Sequence, residues 1–78
     1  MPVAFVLINA ELGKEKDILK ELRSMSNIKE AHLVYGVYDI IAKIETTGAD
    51  MLKEIVASKI RRISDIRSTL TMTVAEGI

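Results

Sequence analysis

Residues 32–44 read His-Leu-Val-Tyr-Gly-Val-Tyr-Asp-Ile-Ile-Ala-Lys-Ile, and they limit the fold more than any other stretch of the chain. Two runs rich in β-branched and aromatic residues are separated by Gly36 and Val37, and glycine at the first central position is what a type II′ hairpin turn requires. The stretch reads as a tight hairpin. With Gly36 and Val37 as the loop, Tyr35 faces Tyr38, Leu33 faces Ile40 and Ala31 faces Ala42, which makes one side apolar. The other side carries Glu30, His32, Val34, Asp39, Ile41 and Lys43. That mixture suits neither a dry core nor open water, so this second face is expected to be partly covered and to carry function.

The segments on either side supply the partners of such a hairpin. Residues 4–10 form a continuous apolar run, the pattern of a strand covered on both faces, with Pro2 just before it where a missing N–H is harmless. After Gly13, residues 14–26 place Ile18, Leu19, Leu22 and Met25 on one stripe of an amphipathic helix. A second helix is expected from Thr47 as N-cap, with Asp50 at its third position as a variant capping box, to about Ser64. Its apolar stripe is Leu52, Ile55, Val56, Ile60 and Ile63, and Lys59, Arg61 and Arg62 complement the helix dipole in its last turns. Residues 65–75 alternate as a final strand: Ile66, Ser68, Leu70, Met72 and Val74 on one face, Arg67, Thr69, Thr71 and Thr73 on the other.

Strand, helix, strand, strand, helix, strand, joined by right-handed crossovers, is the split β-α-β order of an α+β, ferredoxin-like βαββαβ sandwich. Both helices then lie on one face of a single antiparallel sheet, with the first and third strands central. The first strand carries Phe5 and Leu7 on one face and Val6 and Ile8 on the other, so the set turned away from the helices needs another cover. A homodimer packing sheet against sheet, as in a dimeric α+β barrel, provides it.

Bulk composition narrows the function. The 78 residues form one domain, 1–78. A core of this size is expected to contribute about 3–5 kcal/mol, which makes self-association an expected source of further stability. With no cysteine, disulfides, thiolate metal sites and a cysteine nucleophile are excluded. Lys+Arg and Asp+Glu are both 11, whereas a surface that holds nucleic acid by neutralising phosphates needs a basic excess, so direct nucleic-acid binding is disfavoured. The start lacks a basic leader and the apolar run is too short to span a bilayer, so no membrane partner is expected and a cytoplasmic location is. No glutamine and abundant Ile, Lys and Glu point weakly to a hot habitat.

Little in the chain suggests catalysis. His32 and Asp39 are expected as diagonal neighbours on one face, a base and its orienter in principle. A single histidine with no nucleophile, second metal ligand or phosphate-cradling loop favours the plainer use of both residues. In that use His32 sits on an edge strand and Asp39 accepts backbone hydrogen bonds beside the turn. No enzyme activity, cofactor or metal is therefore expected.

Residues 35–41, Tyr-Gly-Val-Tyr-Asp-Ile-Ile, are similar to the Gly-x-Tyr/Phe-Asp hairpin of the effector-binding RAM domain in Lrp/AsnC (feast/famine) transcription regulators, and residues 66–74 resemble that domain's final strand with its Thr-x-Thr pattern. The resemblance covers essentially the whole chain in the same element order. Val37 and Asp65 depart from it, standing where the family usually has a polar residue and a glycine. It implies a stand-alone module that binds an amino acid or related metabolite and assembles, without the winged helix-turn-helix DNA reader. It further implies sheet-to-sheet dimers in a ring of four, an octamer, with effectors held where dimers meet near the hairpin turn. Full-length regulators are possible co-assembly partners, and a small dimeric α+β barrel enzyme is the alternative from another class.

An amino-acid effector brings an ammonium and a carboxylate, and burying either unpaired costs several kcal/mol. Near the turn Asp39 is the closest acid for the ammonium, Gly36 lets a ligand approach the turn's N–H groups, and Tyr38 walls the pocket. Thr69 and Thr71, projecting from the open face of the last strand, add hydroxyl contacts by resemblance to Thr-x-Thr.

Overall fold

A computed structural model describes residues 2–75. Its elements are β1 (Val3–Ala10), α1 (Glu15–Arg23), β2 (Ile28–Leu33), β3 (Ile40–Glu45), α2 (Ala49–Ile55) continuing as a π-helical turn (Val56–Ile60), and β4 (Ile66–Thr73). All pairings are antiparallel and the strand order is β2-β3-β1-β4, so the first and third strands are central as the apolar pattern requires. The α+β, ferredoxin-like reading holds.

The pleat sorts β1 into two sets. Ala4, Val6, Ile8 and Ala10 are buried beneath the helices with Ile40, Ala42 and Ile44 of β3, Ile18 and Leu22 of α1, and Leu52, Ile55, Val56 and Ile60 of the second helix. Val3, Phe5, Leu7 and Asn9 point the other way and are only half-buried. The pairing extends this open face to Ile41 beside Leu7, and to Leu70 and Met72 opposite Leu7 and Phe5. The apolar face left without helices is therefore real, and it continues onto the edge strand.

Five local expectations are corrected. The hairpin is not a two-residue turn: the ladder ends at Leu33–Ile40, one further bond joins the Val34 N–H to the Asp39 carbonyl, and residues 34–39 are loop. Gly36 has φ +157, far from the value near +60 that a type II′ turn takes at its first central residue. Tyr35 consequently faces solvent instead of Tyr38, while the Leu33–Ile40 and Ala31–Ala42 pairs stand as expected. The N-cap of α2 is Gly48, not Thr47; the hydroxyl that orders this corner is that of buried Thr46, which donates to the Gly48 carbonyl at 2.8 Å.

On β4, a bulge opposite Asn9 and Ala10 pairs Ala10 with Ile66 and leaves Arg67 as the extra residue. Ile66 thereby turns to the core side, away from Leu70. Finally, Thr69, Thr71 and Thr73 pair with Ile8, Val6 and Ala4 and so stand on the helix side of the sheet, not on its open face. Helix ends are also shorter than the periodicity implied, because Met25 packs on the core from the turn after α1.

Ile8 has no exposed surface and lies at the centre of the core, so Ile8→Ala is expected to destabilise by about 2–5 kcal/mol in chemical denaturation. Leu12, 95% exposed, serves as control, its change to Ala staying within about 0.5 kcal/mol.

Candidate functional site

Three chain reversals meet at the end of the sheet where β1 finishes: the β1–α1 connection, the β2–β3 loop and the start of β4. Between them lies a cleft of about 480 Å³, lined by Asn9, Glu15, Val37, Asp39, Arg67 and Ser68 among others. That volume is in the range of small-molecule sites. Asn9 and Ser68 stand opposite each other across the β1–β4 ladder, with Asn9 Nδ2 donating to the Ser68 hydroxyl at 3.3 Å.

Asp39 holds this end of the molecule together. Its Oδ2 accepts the Ala10 N–H at 3.0 Å, its own N–H donates to the Ile8 carbonyl at 3.0 Å, and its carbonyl accepts the Val34 N–H at 2.8 Å. The loop is thus pinned to the last residues of β1. A carboxylate offers about four acceptor sites, so one strong bond to Ala10 leaves capacity for a cation in the cleft. His32 is not Asp39's partner; it lies on the open face beside Ile41, 3.3 Å from Glu30, which also approaches Lys43 at 3.7 Å.

The cleft carries both signs. Glu15 and Asp39 supply carboxylates and Arg67 a guanidinium, and Arg67 Nε is 3.7 Å from Glu11 in an exposed contact that competes weakly for it. Such a set complements a small zwitterion: acids for an ammonium, a planar fork of donors for a carboxylate. Among the described residues no group of three or more His, Cys, Asp or Glu is arranged to hold a metal.

Of the five residues singled out from the sequence, Asp39 lines this cleft. Gly36 and Tyr38 belong to the same loop, although its contribution to the wall besides Asp39 comes from Val37. Thr71 lines a separate groove against the second helix, and Thr69 a shallow one beside Arg61. Within one subunit the five are not brought together. Arg67, Glu15, Asn9 and Ser68 were not singled out. Arg67 escapes strand alternation because the bulge re-aims it, and only the short spacing between Glu11, Gly13 and Glu15 hinted that acids cluster at this turn.

With this geometry in view, comparison with known proteins is decisive. Residues 3–78 match the family model described as the Lrp/AsnC ligand binding domain. The chain belongs to that family. Over 72 residues it is 31% identical to an uncharacterized HTH-type transcriptional regulator of Pyrococcus furiosus, covering 88% of this chain and 48% of the relative. It is 33% identical over 59 residues to the regulatory protein AsnC of Escherichia coli, covering 76% and 39%. The chain spans about half the length of the curated relatives it matches.

Among solved structures it is similar to FFRP-DM1, at 39% identity and a TM-score of 0.93, with 96% of this chain and 100% of that one covered. It is also similar to E. coli AsnC, at 27% identity and 0.89, with 97% and 52% covered. This is a regulatory ligand-binding family and not an enzyme family, which removes the reading of His32 and Asp39 as a catalytic pair.

The Asp39 bond to Ala10 makes a stability prediction. Asp39→Ala leaves the partly buried Ala10 N–H without its acceptor and is expected to cost about 1–3 kcal/mol, whereas Asp39→Asn, which keeps an acceptor oxygen, costs less. Urea midpoints of the two variants at equal denaturant slope measure the difference.

Proposed function

We propose that this domain is an oligomeric cytoplasmic sensor of an amino acid or a closely related zwitterion, linked to transcription regulation. The observation that carries the reading is the pairing of Arg67 with Asp39 and Glu15 around one cleft at the end of the sheet. Arg67 receives the carboxylate and Asp39 the ammonium, while Gly36 and Tyr38 in the same loop border the ligand. Support comes also from a structure of the same fold, a transcriptional regulator of Neisseria meningitidis in complex with L-Met, at 14% identity and a TM-score of 0.86.

The assembly follows from what one subunit leaves uncovered. The open face of the sheet carries Phe5, Leu7 and Ile41 with Leu70 and Met72 still 44% and 48% exposed, and a second copy laid sheet against sheet covers it. Around the cleft, Leu12, Tyr35 and Val37 project almost completely into solvent on the loop tips. Their burial between dimers closes the cleft, builds the higher ring, an octamer, and lets Thr69 and Thr71 of a neighbouring subunit approach it. Similarity to half of several HTH-type regulators supports a second role, co-assembly with full-length regulators of this kind.

A thermal-shift screen of the twenty amino acids tests the sensor. A ligand at about 100 times its dissociation constant adds roughly 2.7 kcal/mol, a visible shift for so small a domain. The shift is expected to disappear in Arg67→Ala and Asp39→Asn; a shift that survives both places the effector elsewhere. Sedimentation tests the assembly separately. Leu70→Lys on the open face is expected to yield monomers at micromolar concentration, and a parent protein that is itself monomeric there rules out the proposed dimer.

A further inference from the structure

The end cleft holds one charge more than a simple zwitterion can use. Three charged groups line it, each from a different element: Glu15 from the start of α1, Asp39 from the β2–β3 loop and Arg67 from the bulge at the start of β4. An effector with a neutral side chain brings one ammonium and one carboxylate, which Asp39 and Arg67 take. Glu15 then faces a cleft of about 480 Å³ with nothing to meet it.

Glu15 differs from the other acid of its own turn. α1 carries Glu15 and Asp17 in its first turn, where the helix dipole favours both. Asp17 is exposed, as are Lys14 and Lys16, whereas Glu15 is half-buried and lines the cleft. Among the described residues its carboxylate accepts only a long hydrogen bond, from the Gly13 N–H to Oε2 at 3.4 Å. No cationic side chain among those residues stands within ion-pair distance of Glu15 or of Asp39. Arg67, the cation that shares their cleft, makes its contact with Glu11 instead, 3.7 Å away. The cleft thus sets two carboxylates without cations against one guanidinium.

We propose that Glu15 selects the effector by its side chain, and that the effector is an amino acid whose side chain carries a cation, of the lysine or arginine class. The assignment rests on the reading of the end cleft as an amino-acid site. Asp39, with the acceptor capacity that its bond to Ala10 leaves over, takes the α-ammonium, Arg67 the α-carboxylate and Glu15 the side-chain cation. Each contact is a charge-assisted hydrogen bond, the strong kind. A neutral side chain loses twice, because it misses the third contact and also withdraws Glu15 from water without replacing that water. A diamine is the wrong occupant, since it leaves Arg67 without an anion.

Isothermal titration calorimetry on the intact chain, at constant ionic strength, compares two matched series. L-lysine is set against L-norleucine, which lacks only the side-chain ammonium, and against cadaverine, which lacks only the carboxylate. L-arginine is set likewise against L-citrulline and agmatine. In at least one series the basic amino acid is expected to bind about tenfold or more tighter than either analogue. In Glu15→Gln, which keeps the side chain's size, its advantage over the neutral analogue is expected to shrink to about twofold or less. The comparisons on the parent need no variant, and they decide the selectivity even where Glu15→Gln fails to fold by circular dichroism.

Neutral analogues that bind as tightly as the basic amino acids in both series, and still lose binding in Arg67→Ala, overturn this inference and leave the amino-acid site standing. Cadaverine or agmatine binding as tightly as its parent amino acid shows mere attraction to a negative cleft, which also overturns it. A preference for the basic amino acid that survives intact in folded Glu15→Gln assigns selection to another group and overturns the role of Glu15. Binding of no amino acid at all, by calorimetry and thermal shift alike, overturns the site itself and this inference with it.

Discussion

Residues 3–10 are paired along both edges of their strand, and no other strand could take that place. β1 lies between β3 and β4, so its backbone is paired on both sides along most of its length, and its side chains divide between two faces with opposite fates. One set, Ala4, Val6, Ile8 and Ala10, is enclosed by two helices. The other, led by Phe5 and Leu7, has no helix to cover it. Two helices on one side of a four-stranded sheet do not cover both sets, and the uncovered apolar strip arises from that geometry before any question of regulation.

The same strand positions the cleft. Because β1 ends at Ala10, its last N–H and the Ile8 carbonyl are left for the β2–β3 loop, and Asp39 takes both, one through its side chain and one through its backbone. The loop that carries the family's Gly-x-Tyr-Asp motif is thus anchored through its aspartate, while Tyr35 and Val37 at its tip stay free of the subunit. Asp39 is both a strand terminator and a wall of the cleft, so the shape of the cleft is tied to the integrity of the sheet.

How much of this could be read beforehand depends on how local the deciding physics is. The fold class, the strand order, the core stripes and the uncovered face followed from apolar periodicity, since that pattern reports burial directly. Asp39 accepting backbone hydrogen bonds beside the turn also followed. What failed were features decided by a single backbone event. The β4 bulge flips Ile66 and frees Arg67, a change of parity that no alternation of residues announces. The hairpin loop opened to residues 34–39 because Asp39 is drawn to β1, a contact between residues distant in sequence. Thr69 and Thr71 were assigned to the open face although an edge strand at the margin of the helix layer exposes both of its faces, and composition alone cannot orient it. Thr47 lost the capping role to Gly48 for a related reason, since the neighbouring Thr46 was the one buried.

Even near its close end the β1–β4 ladder joins residues as far apart as Asn9 and Ser68, 59 positions along the chain. Native pairing of the first strand is therefore completed only when β4 is available, and closing so long a loop precedes the contacts that reward it. During synthesis, β1 waits with one edge bare while α1, β2 and β3 collapse around its other side. The strand that organises the finished domain is in that interval its most exposed aggregation hazard, and concentration during refolding, more than temperature, should set the yield.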